Sequence, residues 1–171
     1  MSATATSSAI VLNAKQQKFL ERLGNGFLFR FFLLLKLPLG FFSGMRIKKL
    51  SPEQCVATVP YGWMTRNPFA STYFAALSMA AELSNGALAL MAVEGTNVAV
   101  IIVNMEAQFI KMAKNTTTFT CNDGAALFEA VEKAKATGEV VTARVYTEGI
   151  SEDGIVVAKF HFTWSFKARK K

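Results

Sequence analysis

The stretch Ala70–Ser84, ASTYFAALSMAAELS, constrains this chain more than any other. It has Ala at five positions, no Gly, no Pro and one charge, which makes it a strong helix former. Apolar and small side chains cover every side, and a helix with no polar face is buried all round. Asn67-Pro68 supplies a start signal and Asn85-Gly86 a stop. The rest of the chain must therefore wrap this helix.

Downstream of the helix the chain reads mainly as strands. Val98–Met112 sets Val103, Met105, Ala107 and Phe109 against Asn104, Glu106 and Gln108, and Thr116–Cys121 is short and β-branched. Asn122-Asp123 opens a helix that runs through Lys135 and stops at Gly138. Glu139–Thr147 and Ile155–Lys167 pair across Glu148–Gly154. The last strand places Ala158, Phe160, Phe162, Trp164 and Phe166 on one face, with Lys159, His161, Thr163, Ser165 and Lys167 on the other, the mark of an antiparallel sheet with one wet face. Upstream, residues 13–23 and 26–36 read as helices, and Met45–Leu50 and Gln54–Val59 as strands around Ser51-Pro52. The expected class is α+β: a long central helix wrapped by a curved antiparallel sheet, with extra N-terminal helices. Residues 1–12 form a flexible tail, 13–44 a helical extension and 45–171 the main domain.

Composition removes several functions. At 171 residues, 51% hydrophobic and 18% charged, the chain is one ordered domain with an extension. Cys55 and Cys121 form no CxxC pair, and His161 is the single histidine, so a disulfide scaffold, a thiolate zinc site and a histidine-cluster metal site are excluded. The two thiols read as small core residues and His161 as a surface residue. Neither a serine-triad elbow nor a nucleotide-binding glycine pattern occurs. Any chemistry runs on carboxylates, amides, hydroxyls and backbone dipoles, with no metal and no cofactor. Fifteen Phe imply a thick core or an acyl-sized pocket.

The net charge of +7 is carried by residues 1–50, which hold eight bases and one acid, while residues 51–171 hold eleven of each. A neutral globular part argues against nucleic-acid binding. The apolar run Gly26–Gly44 is a poor membrane span, because Arg30, Lys36 and Pro38 interrupt it. Its spacing of Leu28, Phe31, Phe32 and Leu35 describes one helix face, laid over the core or, as the alternative, at a membrane interface. The opening MSATATSS lacks a basic region, so a cytoplasmic location is expected.

Glu82 is the one ionisable side chain of the apolar helix. Enclosing an unpaired carboxylate is costly, and a position in the last turn adds an unfavourable dipole of roughly 0.3–1 kcal/mol. Both effects raise its proton affinity towards that of a general base. The plainer reading is a solvated residue at a protruding helix end.

The segment Asn67-Pro68-Phe69-Ala70-Ser71-Thr72-Tyr73-Phe74-Ala75-Ala76-Leu77, running on to Glu82, resembles the signature of hotdog-fold acyl-CoA thioesterases of the phenylacetate-pathway type. Their pattern is N-x-x-G-T-x-H-x-G-A-L, followed five residues later by an acid. Asn67, Ser71, Ala76-Leu77 and Glu82 match; Ala70, Tyr73 and Ala75 stand where the pattern has Gly, His and Gly. Phe109–Ala113 resembles the strand-ending Y-x-x-P-A of that fold, and PYGWMTRNPF resembles an uncharacterised branch of the superfamily. The resemblance implies a hotdog fold over residues 45–171 and a thioester hydrolase acting on acyl-CoA or acyl-carrier substrates, with coenzyme A entering only as part of the substrate. It further implies a homodimer, with a tetramer left open. Tyr73 and Glu82 lie nine positions apart and face opposite sides of one helix, so Glu82 of one chain is expected to work with Asn67, Tyr73 and the Phe74 N–H of the other. The helix N-terminus would hold the oxyanion; Asn67 would orient water or the carbonyl, or simply cap the helix. Arg66, Ser71, Lys111 and Lys114 are the substrate-binding candidates, the bases for coenzyme phosphates. Loss of the His and glycines favours a rival, a non-catalytic acyl-chain or lipid-binding hotdog protein at the membrane periphery.

Overall fold

A computed structural model describes residues 10–169. Helix α1 (Ala14–Gly24) starts at Asn13, whose side chain accepts from the Lys15 and Gln16 N–H groups while Gln16 Oε1 accepts from the Asn13 N–H. Asn25 caps α2 (Gly26–Lys36) in the same way, accepting from Phe27 and Leu28, and Pro38 opens a short α3 (Pro38–Phe42). Most of the tail expected over residues 1–12 lies outside the described residues. Gln16 Nε2 donates to the Ala92 carbonyl, tying α1 to the far end of the central helix.

That helix is α4 (Phe74–Val93), and it differs from expectation at both ends. It begins four residues later than Ala70, because residues 67–73 fold into a tight loop around the Asn67 side chain. It also runs straight through Asn85-Gly86. Asn85 does not stop the helix: its Nδ2 donates to the Ala81 carbonyl, and its Oδ1 accepts from Trp164 Nε1 at 2.7 Å. Gly86 leaves room, since a Cβ there would overlap the Glu82 carboxylate and touch Trp164. A dipeptide that reads locally as a terminator serves here as a buried tertiary contact.

Among the described residues six antiparallel strands wrap α4: β1 (Arg46–Leu50), β2 (Cys55–Val59), β3 (Val98–Phe109), β4 (Thr117–Cys121), β5 (Val140–Ser151) and β6 (Val156–Ala168). Their order is β1-β2-β4-β5-β6-β3. The alternation of β6 is as expected, with Phe160, Phe162 and Phe166 fully buried against α4. The β5–β6 hairpin is longer than the sequence suggested. Glu148 and Gly149 pair with Lys159 and Ala158, and Gly149 lets the Phe119 ring approach where any Cβ would overlap it, so this glycine belongs to a strand and not to the turn. Helix α5 (Gly124–Thr137) ends on left-handed Gly138 as expected.

Cys55 and Cys121, 66 positions apart, are cross-strand partners in the β2–β4 ladder. Both are fully buried, and burial first of all pushes the Cys55 thiol far up and the Cys121 thiol to about 12, so neither is a nucleophile at neutral pH.

β3 departs most from the two-faced pattern. Among the described residues it forms an edge of the sheet, pairs only with β6, and is open on both faces over Val103–Phe109. Ile101, Val103, Met105 and Phe109 are all exposed apolar side chains. Nor is α4 buried all round: Ala75, Ser78, Met79 and Glu82 form a partly open stripe at helical spacing. The described residues of one chain leave this stripe partly open.

Candidate active site

The loop before α4 is organised by Asn67. Its Oδ1 accepts from the N–H groups of Phe69 at 3.0 Å and Ser71 at 3.2 Å, and its Nδ2 donates to Ser71 Oγ at 3.1 Å. Asn67 therefore caps its own loop and not the helix, whose N-cap is Tyr73. Ser71 is buried and spent on this contact. The turn holds Ala70 at φ +54°, a left-handed conformation that costs an L-residue roughly 1–2 kcal/mol. This is the position where the resembling motif has Gly, the residue that a left-handed φ favours. The Tyr73 N–H is taken by the Thr65 carbonyl and the Thr72 N–H by Ala113, which clamps the loop against the segment after β3.

The start of α4 is uncapped. Tyr73 makes no side-chain cap, its carbonyl accepts from Ala76 and Leu77, and the Phe74 and Ala75 N–H groups have no partner among the described residues. Thr72 Oγ1 is buried and likewise without a partner among them. Beside this terminus lies an apolar cavity of about 470 Å³, lined by Asn67, Phe69, Tyr73, Phe74, Phe109 and Met112 among others. Phe74 packs edge-on against both Tyr73 and Phe109. Thr72 is the polar group that the sequence reading missed; an unpartnered hydroxyl is visible only once its neighbours are placed.

Glu82 lies elsewhere. It does not line that cavity, and it occupies the middle of α4, so the expected last-turn dipole does not act on it. It accepts no hydrogen bond and makes no ion pair among the described residues. Burial alone raises its carboxyl from the ordinary 4.5 to about 7. It lies seven positions after Ala75, which puts both on the open stripe of the helix.

The basic candidates are scattered. Lys111 stands between the apolar cavity and a second one of about 320 Å³ that also includes Lys114, Ser151 and Asp153. There Asp153, held below the ordinary carboxylate range by hydrogen bonds from Ser151 and Asn115, adds negative charge. Arg66 lines an adjoining surface hollow with Tyr61 and Trp63, which shares Asn67 and Pro68 with the apolar cavity. Within one chain, Asn67, Ser71, Tyr73, Phe74 and Lys111 share a site, while Glu82, Arg66 and Lys114 stand outside it. His161 lies on the outer face of the sheet beside the Tyr146 ring.

A long helix wrapped by a six-stranded antiparallel sheet in this order defines a hotdog-fold protein, as the motif implied. Solved structures share the architecture. A Pseudomonas aeruginosa protein of unknown function described as a probable thioesterase is 22% identical with a TM-score of 0.73, over 86% of this chain and 99% of its own. A Chlorobaculum tepidum protein of unknown function is 13% identical with a TM-score of 0.72, over 92% and 100%. A Haemophilus influenzae thioesterase is 14% identical with a TM-score of 0.59, over 79% and 86%. Among curated proteins, none matches the sequence. The chain belongs to the family described as a domain of unknown function, DUF4442, whose profile matches residues 27–166 and so begins inside the N-terminal helices.

Proposed function

We propose that the protein hydrolyses acyl thioesters of coenzyme A or an acyl carrier, in a site completed by a second copy of the chain. The observation that carries this reading is Glu82: a carboxylate without a partner among the described residues, on the open stripe of an apolar helix, its pKa raised by burial to about 7. Such a group is half ionised near neutrality, where a general base works best. Glu82 takes a proton from water as the water oxygen attacks the thioester carbonyl. The resulting oxyanion is held by the free Phe74 and Ala75 N–H groups at the positive end of α4. The carbon–sulfur bond then breaks, and the proton passes from Glu82 to the leaving thiolate. The apolar cavity holds the acyl chain, and Lys111 at its mouth holds a coenzyme phosphate.

Two observations support the second copy. Glu82 lies outside the cavity that its own Tyr73 and Phe74 line. The edge strand β3 offers unpaired backbone and exposed apolar side chains over most of its length, a surface that pairs readily with another strand. The test is a panel of acyl-CoA esters of graded chain length with wild type and Glu82→Gln. The expected loss in kcat is about 10²–10⁴-fold, and wild-type kcat/KM rises with pH through about 7 as the carboxylate forms. No hydrolysis above buffer, or full activity in the Gln variant, ends the proposal. The rival reading, acyl binding without turnover, is favoured by Tyr73 standing where the motif has His; saturable binding with no hydrolysis identifies it.

A further inference from the structure

We propose that the outward face of α2 and α3 docks on the surface of an anionic lipid bilayer. α2 is apolar on both sides. Phe29 and Leu33 are buried in the protein, yet Phe27, Leu28, Phe31, Leu34 and Leu35 on the other side are exposed, Phe31 at 57% and Leu35 at 61%. Leu39 and Phe42 of α3 extend the patch, and between α1 and α2 it opens into a groove of about 590 Å³. Soluble monomers rarely leave so continuous an apolar surface uncovered.

Charge selects the occupant. No acid stands between Glu21 and Glu53, whereas Arg30, Lys36, Arg46, Lys48 and Lys49 do. The Arg30 guanidinium lies 4.1 Å from the Phe41 ring centre, while Lys36, Arg46, Lys48 and Lys49 are exposed. The groove adds Lys18 and Arg22, with Glu21 its one carboxylate. Exposed aromatic and aliphatic side chains that share a groove with Lys18, Arg22 and Lys36 suit an interface where acyl chains meet anionic headgroups. Spanning is excluded: an eleven-residue helix is about 16 Å long against a hydrocarbon core of about 30 Å, and its other face is already held by the protein. The helix lies in the plane of the membrane.

A second copy of the chain is the competing occupant. Yet α1 and α2 rest on β1, at the opposite edge of the sheet from β3, so a dimer paired through β3 does not require this face. The docking inference is therefore separate from hydrolysis, which would gain direct access to membrane-partitioned acyl substrates.

The full chain is floated with vesicles of phosphatidylcholine alone and of phosphatidylcholine mixed with phosphatidylglycerol, without substrate, alongside a Phe31→Asp/Leu35→Asp variant and a Lys18→Glu/Lys36→Glu variant. Wild type should float with the anionic vesicles, weakly with the neutral ones, and less at high salt. The aspartate variant should lose about a hundredfold in partition, roughly tenfold for each apolar side chain withheld. The glutamate variant should lose roughly fivefold for each lysine removed, on anionic vesicles only. Both variants change exposed residues; circular dichroism checks their fold, and hydrolysis of a soluble short-chain thioester should persist if hydrolysis stands. Absence of flotation, equal flotation of wild type and the aspartate variant, or a smaller solution mass in that variant with flotation unchanged would each overturn the proposal, the last assigning the face to contact between copies.

Discussion

Replacing Glu82 by Gln separates a buried ionisable base from an ordinary surface carboxylate. Burial raises its carboxyl from 4.5 to about 7, so between these values the folded chain binds more protons than the unfolded one. Stability must then fall as pH rises through that window, the reverse of a salt-bridged carboxylate. Below 4.5 both states are protonated and the group costs nothing. Above 7 the full penalty applies, about 3 kcal/mol at about 1.4 kcal/mol for each tenfold change in proton affinity. Glutamine has nearly the same shape and no charge, so the variant escapes this penalty. The assay is urea unfolding of both proteins at one matched concentration, in steps from pH 4.5 to pH 8, so that any subunit association is held constant. The stability difference should be near zero at the acidic end and should reach about 3 kcal/mol in favour of Gln at the alkaline end. A flat difference, or a wild type that is more stable at pH 8, would refute the reasoning, since it would mean that Glu82 is solvated or paired.

Gly86→Ala should stay within about 1 kcal/mol of wild type in urea unfolding, because the new methyl overlaps only the free end of the Glu82 side chain, which can turn aside, while alanine gains about 1 kcal/mol of helix propensity over glycine; in a Glu82→Ala background, where the overlap is gone, the same substitution should stabilise by up to about 1 kcal/mol. Ala70→Gly should be neutral or raise stability by up to about 1 kcal/mol in thermal melts, the relief of a left-handed φ being partly offset by a more flexible unfolded chain. Ile101→Asp, on the exposed edge strand, should lower the sedimentation mass to that of one chain and abolish thioester hydrolysis without changing the far-ultraviolet spectrum. A mass unaltered by that substitution would remove β3 from the subunit contact.

Periodicity carried most of the architecture. The alternation of Phe160, Phe162, Trp164 and Phe166 and the stop at Gly138 are local signals, set by a few neighbours in sequence, and they read correctly. The motif from Asn67 to Glu82 was legible too, as residue types at fixed spacing. Asn85-Gly86 misled because its local meaning was overridden by Trp164, seventy-nine positions away, and by the bulk of a carboxylate one turn back. The extent of α4 and the central place of Glu82 in it depend on such distant partners, as do the cross-strand meeting of Cys55 with Cys121 and the openness of β3. Hydrophobic spacing says which side chains seek cover. Whether cover is available is a matter of how surfaces meet in three dimensions: among the described residues of one chain, β3 and the outward face of α2 keep apolar side chains exposed.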